Sequence, residues 1–144
     1  MKAVLDANIF VARFVPSEPA HAECLRVVQA CQEPGVKILV PLLLPAELAG
    51  SIARITGSDA AAQHALMVMQ TYSWLRVCLA DTAFVERTAR LAGRHALRGA
   101  DAFYLALAAE QRCPLVTLDG ELISRAPNTI TVLRPAEWLA RIAR

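Results

Sequence analysis

The stretch MKAVLDANIF, residues 1–10, decides the fold of this chain. Lys2 to Leu5 is apolar enough for a strand in a sheet interior, and that strand ends at the carboxylate of Asp6. A second polar residue, Asn8, follows two positions later. A charge at the edge of a core is costly unless it is solvated, hydrogen-bonded, paired or bound to a metal. The stretch therefore predicts either a helix cap or a functional site where the first strand ends.

Strands and helices alternate along the rest of the sequence. Further strands are predicted at 37–40, 74–79, 115–118 and 130–133. Helices are predicted at 8–14, from Ser17 to about residue 32, from Pro45 to near Gly57, after Ser58, at 82–94, at 101–111 and from Pro135 onward. This alternation is typical of an α/β domain with a mainly parallel sheet. The apolar helix at 101–111 is expected to lie against that sheet.

Bulk composition restricts the class of protein. The 144 residues are expected to form a single domain over 1–144, and 56% of them are hydrophobic against 19% charged. No apolar run reaches the ~18 residues of a membrane span, and the N-terminus lacks the pattern of a signal peptide, so a cytoplasmic protein without a membrane partner is expected. The net charge of +2 does not by itself indicate nucleic acid. The four cysteines form no CxxC pair and are expected to be core thiols.

Four acidic residues lie where predicted strands end or predicted helices begin. Asp6 and Asp119 each follow a strand, Glu47 lies in the first turn of a helix, and Asp101 begins the apolar helix. In a doubly wound sheet these places meet at one edge. Taken singly, helix capping is the favoured interpretation for Glu47 and Asp101. For Asp6 and Asp119, a turn carboxylate is as good an explanation as a functional one.

Together the four acids favour a metal site. Two like charges ~4 Å apart repel by about 4 kcal/mol at an effective dielectric constant of ~20, so a carboxylate cluster needs a counter-ion. Oxygen ligands suit Mg²⁺ or Mn²⁺. Zinc is disfavoured because no cysteine or histidine cluster has ligand spacing, and the GxxxxGK of a phosphate-binding loop is absent.

Four short motifs in this order, LDANIF, PAELAG, GADAFYLALA and VTLDGEL, resemble the PIN-domain family. The resemblance spans essentially the whole chain and is greatest to the small toxin ribonucleases of the VapC type. It implies a three-layer α/β/α sandwich around a central, mainly parallel sheet of four to five strands. It also implies a catalytic set made of Asp6, Glu47, Asp101 and Asp119.

The resemblance extends to individual roles. Asp6, Asp101 and Asp119 match the metal ligands, while Glu47 would act through a bound water or orient the nucleophile. Supporting roles fall to Asn8 and Thr117. Ala7 differs from the threonine common at its position, which bears on a minor hydrogen bond and on no metal ligand. Glu121 is either an auxiliary acid or, as we favour, a solvated loop residue.

The implied function is a metal-dependent endoribonuclease that hydrolyses RNA with Mg²⁺ or Mn²⁺. It is expected to be the toxin of a type II toxin–antitoxin pair, with a VapB-like antitoxin and a homodimer as partners. Two alternatives stay open. One is a solitary PIN nuclease in RNA processing, and the other is a catalytically silent PIN scaffold that binds RNA or protein.

A series of arginines provides one candidate for substrate binding. Arg87, Arg90, Arg94 and Arg98 recur at spacings of three and four, on one stripe if the helix persists. The stripe leads toward Asp101, so Arg94 and Arg98 are candidates for phosphate contacts. A solvated helix face is the favoured alternative. The three histidines match no motif and are not expected to act as a general base.

Overall fold

The computed structural model describes residues 1–143 and contains one five-stranded sheet. Its strands are β1 (Lys2–Leu5), β2 (Lys37–Pro41), β3 (Leu75–Cys78), β4 (Leu115–Val116) and β5 (Val132–Leu133). All neighbouring strands are parallel, and their order across the sheet is β3-β2-β1-β4-β5. β1 therefore lies at the centre, with Val4 paired to both Leu39 and Leu115.

Helices occupy the connections between these strands. They are α1 (Ala7–Phe14), α2 (His21–Ala30), α3 (Leu44–Thr56), α4 (Asp59–Gln70), α5 (Thr82–His95), α6 (Gly99–Gln111), α7 (Gly120–Arg125) and α8 (Pro135–Ile142). None of these helices, within the described residues, combines the length and apolar character needed to cross a membrane.

The strand order reverses between β1 and β4. The connections from β1 to β2 and to β3 run in one direction across the sheet, and those to β4 and β5 run in the other. Since parallel crossovers are right-handed, the reversal places α1–α4 on one face and α5–α7 on the opposite face. α8 returns to pack against α2. The result is a three-layer α/β/α sandwich, which confirms the predicted fold class, with a crevice at the carboxyl ends of β1 and β4.

The core lies on both faces of the central strand. Ala3, Val4 and Leu5 are fully buried, and so are Tyr104 and Leu105 of α6. Because α6 packs against β1, β2 and β4, its apolar residues extend around most of the helix, as the sequence predicts. This packing fixes the relative positions of the strand and helix ends that border the crevice.

Several predicted boundaries differ from the structure. α2 begins at His21 instead of directly after Ser17, and α7 was not predicted, because its six residues are too few to show a period. α5 ends at His95, where Ala96 adopts a left-handed conformation with φ 51°. The prediction that Arg98 continues the arginine stripe of α5 is therefore wrong, because Arg98 lies at the N-cap of α6.

Candidate active site

The four acids singled out in the sequence line one cavity. It has a volume of about 490 Å³ and lies at the carboxyl ends of β1 and β4. Asp6, Glu47, Asp101 and Asp119 reach it from four different elements: the end of β1, the first turns of α3 and α6, and the end of β4. Chain topology therefore brings together side chains that lie up to 113 positions apart.

Asp6 is held by side chains and does not cap a helix. It occupies the N-cap position of α1, yet its carboxylate makes no capping hydrogen bond. Its Oδ2 instead accepts hydrogen bonds from Asn8 Nδ2 at 2.8 Å and from Thr117 Oγ1 at 2.6 Å. Of the two roles considered for Asp6 in LDANIF, its hydrogen bonds do not support the helix cap. They place its carboxylate in an ordered cluster of polar side chains.

Thr117 connects the ends of the two central strands. Its hydroxyl is fully buried, donates to Asp6, and accepts from Asn8 Nδ2 and from the Asp119 backbone N–H, both at 3.0 Å. Asn8 Oδ1 in turn accepts from the Leu118 N–H at 3.2 Å. These bonds fix the direction of Asp6 relative to Asp119.

The other three acids have distinct local roles. Asp119 Oδ1 accepts from the N–H groups of Glu121 and Leu122 and so caps α7, which leaves its second oxygen, Oδ2, for other partners. Glu47 Oε2 accepts a 2.6 Å hydrogen bond from the hydroxyl of buried Tyr104. Among the described residues, neither Glu47 nor Asp101 caps a helix by hydrogen bonding to backbone N–H groups, so the capping interpretation is not supported for either.

The acids destabilise each other's ionised forms. Burial raises the pKa of Asp6 to about 7, in spite of the Thr117 hydrogen bond, and the charges of Asp101 and Glu47 add to the rise. The pKa of Glu47 is raised chiefly by burial and further by Asp101. The pKa of Asp101 is raised chiefly by burial and further by Asp119. The pKa values of Asp6, Glu47 and Asp101 are thus each raised in part by the charge of another acid of the set.

Positive charge is scarce around this cavity. Arg98 lines it and lowers the pKa of Asp101, but the nearest acid it pairs with is Glu121, at 3.8 Å. Within residues 1–143 none of the four acids forms an ion pair. One buried carboxylate, Asp6, with three half-buried carboxylates around the same cavity fits a divalent cation with oxygen ligands.

Within the described residues, the side chains of the four acids do not form a complete set of metal ligands. Within the described part of the chain, no three histidine, cysteine, aspartate or glutamate side chains are grouped closely enough to hold an ion. The four acids line one cavity, and ion binding is inferred from that arrangement.

The arginines of the predicted stripe lie in different surroundings in the structure. Arg87 pairs with Glu110 at 2.7 Å, and Arg94 is exposed and does not line the cavity. Only Arg98, of the four arginines, reaches the acids. Glu121 is exposed and pairs with Arg125 at 2.9 Å, which fits a solvated residue, but it lies in the first turn of α7 and not in a loop.

Tyr104 is the residue at this site that sequence analysis did not identify. A signal was present, since Tyr104 follows Asp101 by three positions and so shares its helix face. Ser51 and Glu18 also line the cavity, and no pattern in the sequence marks them. Ser51 lies on α3, and Glu18 lies in the connection between α1 and α2.

Replacing Thr117 by valine, which has the same shape, is expected to lower the free energy of unfolding by about 2–3 kcal/mol. The change leaves a buried carboxylate and a backbone N–H without their partner. Urea unfolding measures the effect. Thr117→Ser is the matched control, because it keeps the hydroxyl and loses one methyl group, worth about 1 kcal/mol. Equal stability of the two variants would contradict the role assigned to the hydroxyl.

The sequence matches the PIN domain family over residues 3–128. No curated protein sequence matches the chain. Among solved structures, VapC20 of Mycobacterium tuberculosis, a sarcin–ricin loop cleaving toxin, superposes with a TM-score of 0.74 at 16% identity, covering 90% of this chain and 98% of that chain.

Two further structures show the same architecture. A protein from Pyrobaculum aerophilum has a TM-score of 0.72 at 18% identity and covers 99% of this chain and 96% of its own. A toxin–antitoxin complex from Klebsiella pneumoniae has a TM-score of 0.65 at 22% identity, with coverage of 92% and 97%. At these identities the likeness is one of fold.

Proposed function

Because the chain belongs to the PIN domain family, we propose that it is a metal-dependent endoribonuclease and the toxin of a type II toxin–antitoxin pair. The observation that carries the proposal is the convergence of Asp6, Glu47, Asp101 and Asp119 on one cavity. Burial at the end of the central strand keeps that cluster electrostatically unsatisfied, as its raised pKa values indicate.

Asp6, Asp101 and Asp119 are the residues proposed to hold Mg²⁺ or Mn²⁺. Hydrogen bonds from Asn8 and Thr117 orient the carboxylate of Asp6. Asp119 caps α7 with one carboxylate oxygen, and its other oxygen is left for an ion. When bound, such an ion lowers the pKa of a water and offsets negative charge on a phosphodiester.

The remaining polar residues act on water and substrate. Glu47, held by Tyr104 at 2.6 Å, is placed to orient an attacking water and to accept its proton. Arg98 is exposed at the mouth of the cavity and is the cation available for a substrate phosphate. Its contact with Glu121 is long, at 3.8 Å, and exchanges easily for a phosphate contact.

Incubation with total tRNA and rRNA tests the proposal. In the presence of Mg²⁺ or Mn²⁺ the purified protein is expected to produce internal fragments, and EDTA is expected to abolish them, because the acids repel a phosphate when no cation neutralises them. Gel electrophoresis with end-labelled RNA measures the products. Cleavage that survives EDTA, or intact RNA under every metal condition, would overturn the proposal.

Calorimetric titration with Mn²⁺ separates an enzyme from a silent scaffold of the same fold. Site-specific heat in the wild type that is lost in Asp6→Asn supports the nuclease. No heat in either protein favours a scaffold that binds RNA or protein.

A VapB-like antitoxin and a homodimer are the proposed protein partners. One similar structure is a toxin–antitoxin complex, and Ile55, which is 47% exposed, lines the acidic cavity. An apolar side chain beside the acids suits a partner that covers them. A small DNA-binding reading frame upstream of this gene supports the toxin assignment, whereas its absence favours a solitary nuclease in RNA processing.

A further inference from the structure

A second cavity lies at the opposite edge of the sheet, where the strands begin. Its volume is about 830 Å³, within the range of about 300–1,000 Å³ typical of small-molecule sites. The amino ends of β1, β2 and β3 line it, and it contains none of the four acids described above. Both lysines of the chain, Lys2 and Lys37, are among its lining residues, together with Arg76 and Trp74.

The three cations share one face of the sheet. Lys2 is the register partner of Lys37, and Arg76 is the register partner of Leu39, which points to the same side as Lys37. Like charges on neighbouring strands destabilise a sheet. A bound anion at this end of the three adjacent strands would relieve that repulsion.

The protein itself supplies little compensating negative charge. Lys2 Nζ lies 3.4 Å from the neutral amide oxygen of Gln111, and within residues 1–143 none of the three cations forms an ion pair. Glu33 is the acid among the lining residues, so the cavity keeps an excess of positive charge. All three cationic side chains are exposed and able to bind an anion from solution.

Trp74 adds a flat apolar surface to this cavity. It is half-buried and stacks on Tyr72, with ring centroids 4.6 Å apart and an interplanar angle of 19°. The stack fixes the orientation of the indole ring before any ligand binds. An aromatic face beside cations is the combination that binds a base and its phosphate.

We propose that this cavity binds a nucleotide unit, with the phosphate at Lys2, Lys37 and Arg76 and the base on Trp74. The unit belongs either to a free nucleoside phosphate or to a single strand of RNA. The inference goes beyond the nuclease proposal, because the cavity lies at the other edge of the sheet. It holds whether or not the chain cleaves RNA.

Tryptophan fluorescence provides the readout. The chain has two tryptophans, and Trp138 is fully buried, so a ligand in the cavity changes the emission of Trp74. The probes are a uridine hexanucleotide, UTP and inorganic tripolyphosphate, each titrated into the full-length protein at low salt with EDTA, which prevents metal-dependent cleavage. Both uridine probes are expected to change the emission, and tripolyphosphate is expected to bind at least tenfold more weakly than UTP.

The variant Lys37→Gln/Arg76→Gln tests the cationic residues. We expect at least tenfold weaker binding of the uridine probes. We also expect a salt dependence for the hexanucleotide that is lower in slope by up to about 0.7, since the three cations hold one phosphate and each phosphate contact on a single strand contributes about 0.7. Arg54→Gln/Arg141→Gln is the matched control. It removes the same net charge from two exposed arginines outside the cavity that form no ion pair within the described residues, and it is expected to bind like the wild type.

The outcomes separate the two sources of the nucleotide and also allow the proposal to fail. Tighter binding of the hexanucleotide than of UTP assigns the cavity to an RNA strand, and the reverse assigns it to a free nucleotide. Equal binding by the variant and its control, with circular dichroism showing both to be folded, overturns the proposal. Binding of tripolyphosphate as tightly as UTP also overturns it, because the base would then make no contribution.

Discussion

Replacing Asp101 by asparagine is expected to reduce RNA cleavage on the order of 10³-fold or more. Asp101 begins α6, lines the acidic cavity and has no hydrogen bond or ion pair within the described residues. The substitution keeps the shape of the side chain and removes one negative charge. The proposed metal site of three acids then loses a ligand and the charge that makes a divalent ion favourable. Initial rates of cleavage of an end-labelled RNA in Mg²⁺ measure the loss.

Asp59→Asn is the matched control for this experiment. Asp59 undergoes the same chemical change, but it lies in the first turn of α4, is exposed and does not line the cavity. It is expected to retain activity within about twofold, because a solvated charge outside the site contributes little to it. An Asp101→Asn protein that cleaves at the rate of this control would remove Asp101 from the catalytic set.

Replacing Asp6 by asparagine is expected to stabilise the metal-free protein near pH 8 by a few kcal/mol. The pKa of Asp6 is about 7 in the folded protein, against 3.8 for an unperturbed aspartate. Between these values the folded state binds a proton that the unfolded state releases. Stability therefore falls as the pH rises from about 4 to about 7, by at most about 4 kcal/mol, and is constant with respect to this group above and below that range.

The asparagine variant removes this dependence without disturbing the local contacts. Its amide oxygen can accept the hydrogen bonds that Asn8 and Thr117 now donate to Asp6. Urea unfolding in EDTA at pH 5 and at pH 8 measures the difference for both proteins. Parallel loss of stability by wild type and variant between these pH values would show that Asp6 is not the group responsible. Saturating Mn²⁺ should reverse the order at pH 8, because it stabilises only the protein that binds it.

Much of the fold followed from sequence pattern, because apolar runs bounded by turn residues are local signals. The strand Lys2–Leu5 was predicted with its observed bounds, and Ser58 accepts the hydrogen bond from Ala61 N–H that its predicted cap implies. The predicted bounds differ from the observed ones where the sequence pattern covers few residues, or where tertiary contacts determine the end of an element. β4 contains only Leu115 and Val116, although the apolar pattern continues to Leu118, because the chain turns there to place Thr117 and Leu118 against Asn8.

For the candidate site, the order of motifs along the chain predicted which acids would meet but not how each is held. Asp119 and Glu47 could be placed on the edge of the sheet from topology. The Tyr104–Glu47 hydrogen bond could not, because it depends on the distance between α3 and α6. The position of Arg98 could not be predicted either. The spacing of the arginines suggests that one helix continues to Arg98, but α5 ends where Ala96 adopts a left-handed conformation.

The central position of β1 has a consequence for biosynthesis. β1, which Asp6 follows, is synthesised before the other four strands, yet one of its two neighbours, β4, starts at residue 115. A nascent or prematurely terminated chain that stops before this point lacks Thr117 and Asp119, so it has no organised acidic cluster. At roughly 5–20 residues per second, the translation machinery is several seconds past Asp6 before the site can close. The cavity lined by the four acids is thereby completed only after most of the chain has been synthesised.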